Sequence, residues 1–141
     1  MLGVILASHG DLVYGLKDTY NMVMGDLPEN VKIVSLRKDS DAKTFKEEFH
    51  EAISGFHDVD GILVLTDLEG GTPYNTACVY YFDPDFGTDV RVLTGMNFPM
   101  LVETIENIES ADVSRAAETI LDLTKEGIRQ AEILNNEDED F

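Results

Sequence analysis

Short apolar runs alternate with longer amphipathic stretches along nearly the whole chain, and this alternation limits the available folds more than any other feature. The runs Leu2–Ser8, Val31–Leu36, Gly61–Thr66 and Val90–Thr94 are rich in Val, Ile and Leu, so each is predicted to be a buried strand. Helical spacing follows each run. Leu12–Met24 carries Leu12, Val13, Leu16, Tyr20, Val23 and Met24, and Ala42–Phe56 puts Phe45, Phe49, Ile53 and Phe56 on one face. A third helix is expected from Pro73 to about Phe82 and a short fourth around Met100–Ile108. A longer one is expected from Val113 to Leu134, through Ala116, Ile120, Leu123, Ile128 and Ala131. Apolar strands alternating with amphipathic helices imply an α/β fold: an open, mainly parallel sheet with helices on both faces. Right-handed crossovers leave few topologies for it.

With 141 residues the chain is long enough for one domain with a real core and too short for two. Residues 1–134 are read as that domain and 135–141 as an acidic tail, in which Glu137-Asp138-Glu139-Asp140 is a solvated charge run. No apolar run approaches the roughly 20 residues of a membrane helix, and no basic segment precedes the first strand, so a cytoplasmic protein is expected. Ten Lys and Arg against 28 Asp and Glu leave a formal charge of −18. Such a surface repels nucleic-acid backbones and favours encounter with a basic partner. One cysteine, Cys78, excludes an internal disulfide framework and is read as a buried, inert thiol on a helix.

The chemistry-bearing residues gather where strands hand over to helices, the edge at which open α/β sheets bind ligands. His9 follows the first apolar run and precedes Gly10-Asp11. It is either a titratable group available for chemistry or a residue that merely closes the strand and bonds a carbonyl. Asp67 stands just past the third strand, at the head of Leu68-Glu69-Gly70-Gly71-Thr72-Pro73-Tyr74-Asn75. Thr72 suits a helix N-cap with Pro73 in the first helical position. The two glycines allow a tight turn and close backbone approach, and the free amides of the helix start offer an anion site. An Asp and a His on neighbouring strand ends would pair, fixing one ring nitrogen as N–H and leaving the other as nucleophile. Asn97 repeats the pattern after the fourth strand, as a polar cap candidate with Pro99 nearby. Alone, each feature is also an ordinary turn or cap; their coincidence on one edge is what points to a site.

Missing motifs narrow the chemistry. The Gly70-Gly71-Thr72 turn lacks the lysine of a nucleotide P-loop, no G-x-G-x-x-G follows the first strand, and no serine sits in a nucleophile elbow. His50 is read as a surface helical residue and His57 as a solvated loop residue, so no metal site is expected. The set suits binding and passing on an anionic group better than hydrolysing one.

Three segments, Ala7-Ser8-His9-Gly10, Thr66-Asp67 to Asn75 with its Gly-Gly-Thr-Pro-Tyr-Asn, and Gly95 to Thr104 with Asn97-Phe98-Pro99-Met100, resemble the IIA components of the mannose class of the bacterial sugar phosphotransferase system. The resemblance covers nearly the whole chain. It implies a cytoplasmic phosphocarrier of the phosphotransferase type, with phosphohistidine as intermediate. The histidine matching His9 would take a phosphoryl group from phospho-HPr and pass it to a IIB component on a separate chain. IIC and IID membrane subunits would be engaged only indirectly and would set the sugar. Asp67 would hold the imidazole, and Gly10, Gly70, Gly71, Thr72 and Asn97 would surround the phosphoryl group, with no metal or other cofactor. A homodimer is implied, with a C-terminal strand exchanged between subunits; this conflicts with a helix running to Leu134.

The chain departs from the family pattern at Glu69, where relatives often carry a bulky apolar or aromatic residue. A carboxylate there could disfavour a neighbouring phosphate. Three other readings fit parts of the pattern: a phosphocarrier serving a dihydroxyacetone kinase, a regulatory module signalling through phosphorylated His9, and a flavodoxin-like binder of a small ligand.

Overall fold

The computed structural model describes residues 1–133. Strands β1 (Leu2–His9), β2 (Val31–Leu36), β3 (Gly61–Thr66) and β4 (Val90–Leu93) form one sheet in the order β2-β1-β3-β4. Every neighbouring pair is parallel. Helices α1 (Leu12–Val23), α2 (Ala42–Ser54), α3 (Thr72–Phe82), α4 (Phe98–Glu106) and α5 (Val113–Glu126) cover both faces.

The alternation of side chains along each strand divides the core in two. Leu2, Val4, Leu6, Leu63, Leu65 and Leu93 point to one face and pack with α1, α4 and α5, where Leu101 and Ile120 are fully buried. Ile5, Ala7, Val34, Ile62, Val64 and Val90 point to the other, under Phe45, Phe49 and Ile53 of α2 and Ala77 of α3. β1 and β3 are central and buried on both sides, which is why they read as unbroken apolar runs.

Several boundaries differ from the sequence reading. α5 stops at Glu126 rather than running to Leu134, because Gly127 caps it through bonds to the Leu123 and Thr124 carbonyls. The later apolar residues Ile128 and Ile133 are exposed, so the helical spacing there is not matched by packing. α2 ends at Ser54 on Gly55, and Phe56 instead lies beneath Lys32, whose Nζ is 4.0 Å from the ring centroid and donates to the Ala52 carbonyl at 2.7 Å. Burial holds the Lys32 ammonium below its ordinary pKa. α4 starts two residues early, at Phe98. Leu134 and the acidic tail lie outside the described residues. Among the described residues no helix is long and apolar enough to cross a membrane.

Candidate functional site

The carboxyl ends of β1 and β3 are adjacent because the two strands pair directly, with Ala7 opposite Thr66. One residue further on, His9 and Asp67 meet. The His9 Nδ1–H donates to Asp67 Oδ2 at 2.9 Å, and the His9 backbone N–H donates to the same oxygen at 3.0 Å. A carboxylate only accepts, so the pair fixes the proton on Nδ1 and leaves the Nε2 lone pair open. The imidazole is 43% exposed and the carboxylate 14%, so the nucleophilic edge is reachable while its partner is held inside.

Gly71 sets the clearance on that open edge. A Cβ placed on it would stand 2.6 Å from His9 Cε1 and 3.3 Å from Nε2, so only glycine fits against the ring. Its backbone is extended (φ −76°, ψ 168°), which any residue adopts; close approach is the whole reason for glycine here. Gly71, not Thr72, is the N-cap of α3. Thr72 and Pro73 occupy the first two helical positions, where proline loses no intrahelical bond. The turn is closed instead by Asn75, whose Nδ2 donates to the Gly70 carbonyl at 3.0 Å, with Gly70 at φ +82°. The amides of the first turn of α3 have no intrahelical acceptor, and the helix dipole adds to their pull on an anion.

Thr72 also borders a cleft of about 380 Å³ between α2 and α3, lined by Ala42, Lys46, Asn75, Thr76, Val79 and Tyr80. Asn97 is the N-cap of α4, accepting the Met100 N–H at 2.9 Å through its side chain. Glu69 is exposed. Its charge helps raise the pKa of Tyr74, after the larger influence of the Cys78 thiol one turn along α3. Cys78 is half-buried rather than buried, because it lies beside Tyr74 and not on the sheet-facing side with Ala77. His50 is exposed, and its Nδ1 is 2.9 Å from Tyr80 Oη; His57 is an exposed loop residue.

Ser8 and Ser35, to neither of which the sequence analysis gives a role of its own, hold the turn after His9. Gly10 has φ +58°; its N–H donates to the Leu36 carbonyl at 2.8 Å, and its carbonyl accepts the Ser35 hydroxyl. The Ser8 hydroxyl accepts the Val13 N–H at 3.2 Å and donates to the His9 carbonyl at 3.1 Å. Both serines are almost completely buried. A hydroxyl inside an otherwise apolar strand must find partners there, and that is the signal by which they could have been picked out.

Comparison with known proteins identifies the family and the fold. The family model of the fructose IIA component of the phosphotransferase system, EIIA-man, matches residues 3–121. The fructose-specific EIIA component of Bacillus subtilis (strain 168) is 30% identical over 105 residues, covering 74% of this chain and 69% of that protein. The mannose-specific EIIAB component of Escherichia coli (strain K12) is 30% identical over 104 residues; the match covers 74% of this chain but only 31% of that longer protein. A phosphotransferase system EIIA component from Streptococcus agalactiae has the same fold, with a TM-score of 0.83 over 92% of this chain and 97% of that one at 24% identity. The chain belongs to the mannose-class IIA family of the bacterial sugar phosphotransferase system.

Proposed function

We propose that this chain is a phosphocarrier that takes a phosphoryl group on His9 Nε2 from phospho-HPr and passes it to a IIB component during sugar uptake. The observation that carries this reading is the His9–Asp67 pair, with Nδ1 committed to Oδ2 at 2.9 Å and the Nε2 lone pair left free on a ring that is 43% exposed. In the transfer, the donor's N–P bond breaks as the Nε2–P bond forms, and the donor imidazole leaves with its electron pair. With the donor ring protonated on its other nitrogen, that ring loses the charge that His9 gains, and no proton has to move. The charge gained by the His9 ring is met by Asp67, and charge on the phosphoryl oxygens by amides at the start of α3. Exchange between two imidazoles swaps like bonds, so in-line positioning is the main requirement.

The test is incubation with phosphoenolpyruvate, enzyme I and HPr. The full chain takes up acid-labile, base-stable label, His9→Gln takes up none, and His50→Gln and His57→Gln behave as wild type. Label retained in His9→Gln would refute the assignment.

The same reading includes a cytoplasmic location and a homodimer with strand exchange. β4 lies at the sheet edge, and the segment after Gly127 exposes Ile128 and Ile133. In a dimer that segment would pair with the partner's β4, covering an edge that otherwise offers unpaired backbone groups.

A further inference from the structure

We propose that Ser35, on the strand beside His9 and outside the residues that match the family's motifs, is a positioning residue that aims the backbone amide of Asp11 at the phosphoryl group. The inference rests on the phosphocarrier reading and adds a donor to it. The Ser35 hydroxyl donates to the Gly10 carbonyl, so that carbonyl points toward β2. The peptide that follows is trans, so its N–H, belonging to Asp11, points the opposite way. β1 lies between β2 and β3, and away from β2 means toward Asp67 and Gly71, which bracket the His9 ring. Among the described residues no protein acceptor takes the Asp11 N–H. The Asp11 carbonyl accepts the Gly15 N–H at 3.0 Å, but its side chain makes no cap bond to α1, so only the carbonyl of this residue serves the helix start.

Ser35 is not needed merely to close the turn. The bond from the Gly10 N–H to the Leu36 carbonyl already does that. The hydroxyl adds control over the rotation of the next peptide, which at a glycine of φ +58° is otherwise loosely fixed. Ser35 is 5% exposed, so an alanine fits in β2 and leaves only the Gly10 carbonyl without its hydroxyl donor. The arrangement supplies an amide that is oriented before the phosphoryl group arrives, at the site of developing charge.

The test uses the full chain with phosphoenolpyruvate, enzyme I and HPr, comparing wild type, Ser35→Ala and Ser35→Thr. In the wild type, phosphorylation of His9 moves the Asp11 amide proton downfield in the NMR spectrum. Ser35→Ala lowers kcat for phosphorylation about tenfold, less than loss of a whole donor would. KM for HPr stays within about twofold, and the Asp11 shift shrinks. Ser35→Thr, which keeps the hydroxyl, restores both. An Asp11 amide that does not respond while His9 is labelled overturns the inference and leaves the phosphocarrier reading intact, as does a wild-type kcat in Ser35→Ala. If Ser35→Ala does not fold, the wild-type amide measurement decides alone. Absence of label on wild-type His9 overturns both readings.

Discussion

Gly71 lies against the edge of the His9 ring that Asp67 leaves open, and adding one methyl group there separates ring position from stability. In Gly71→Ala the new Cβ would overlap His9 Cε1 at 2.6 Å, but the ring is 43% exposed and can swing away. The expected result is a loss of phosphorylation rate of about tenfold or more from misplacement. The thermal midpoint should fall by the equivalent of less than about 1 kcal/mol, because no core contact is strained. A rate within twofold of wild type would show that the clearance is not used. Glu69 tests the opposite effect, charge at a distance. Its side chain is exposed and acts on Tyr74, so Glu69→Gln should leave the phosphorylation equilibrium with HPr nearly unmoved. The rate of encounter with HPr or IIB should change instead, and more at low salt. An equilibrium shift of tenfold, about 1.4 kcal/mol, would place the carboxylate beside the phosphoryl group.

Helix starts supply the next level of control, and two of them are open to test. Asn97 caps α4 through its side-chain oxygen, so Asn97→Ala should cost about 1 kcal/mol and lower the melting midpoint by a few degrees, while Asn97→Asp keeps the cap. Comparing phosphorylation rates of the two variants separates capping from contact with the phosphoryl group: loss in both, with melting preserved in Asn97→Asp, would assign the side chain to the site. Asp41 caps α2 by accepting the Thr44 N–H at 2.8 Å, and this bond lowers its pKa below the ordinary 3.8. A depressed carboxylate contributes stability that is present above the unfolded value and lost as pH falls through the folded one. Asp41→Ala should therefore flatten the fall in melting midpoint below about pH 4. An unchanged acid limb would mean that the cap does not persist in solution.

These elements also show what the residues reveal in advance. The strands, their parallel pairing and the His9–Asp67 edge could be read because fully buried strands are apolar on both faces and because turn chemistry follows each one. The end of α5 could not, because Ile128 and Ala131 continue the helical spacing past Gly127 while nothing in the described structure covers them. The glycine at the α3 cap is explained by its contact with the imidazole, a tertiary fact that spacing does not reveal. The roles of Ser8 and Ser35 are not legible in the sequence, because their partners are on other elements or across a turn.

At the scale of the whole molecule, the sheet has two unequal margins. β2, packed by α2 and α1, is six residues long, whereas β4, packed by α3 and α5 at the other edge, is only four. If the segment after Gly127 pairs with β4 of a second copy, the full chain should run as a dimer in light scattering at micromolar concentration, and truncation after Gly127 should give a monomer. A monomeric full chain would refute the exchange. His9, at the end of the central β1, should keep its label in either state unless the partner lends a residue to the site.

The His9–Asp67 bond joins residues 58 positions apart. It exists only once β1 and β3 have found each other across the whole β2–α2 excursion, a pairing whose loop-closure entropy must be overcome before any contact rewards it. A chain with well-formed helices but an unpaired sheet would hold every residue of the site and none of its geometry. Competence to take up label should therefore appear with the last cooperative phase of refolding and vanish at the first step of unfolding, so that a filter-binding count reports the paired central strands as directly as a spectroscopic probe placed between them.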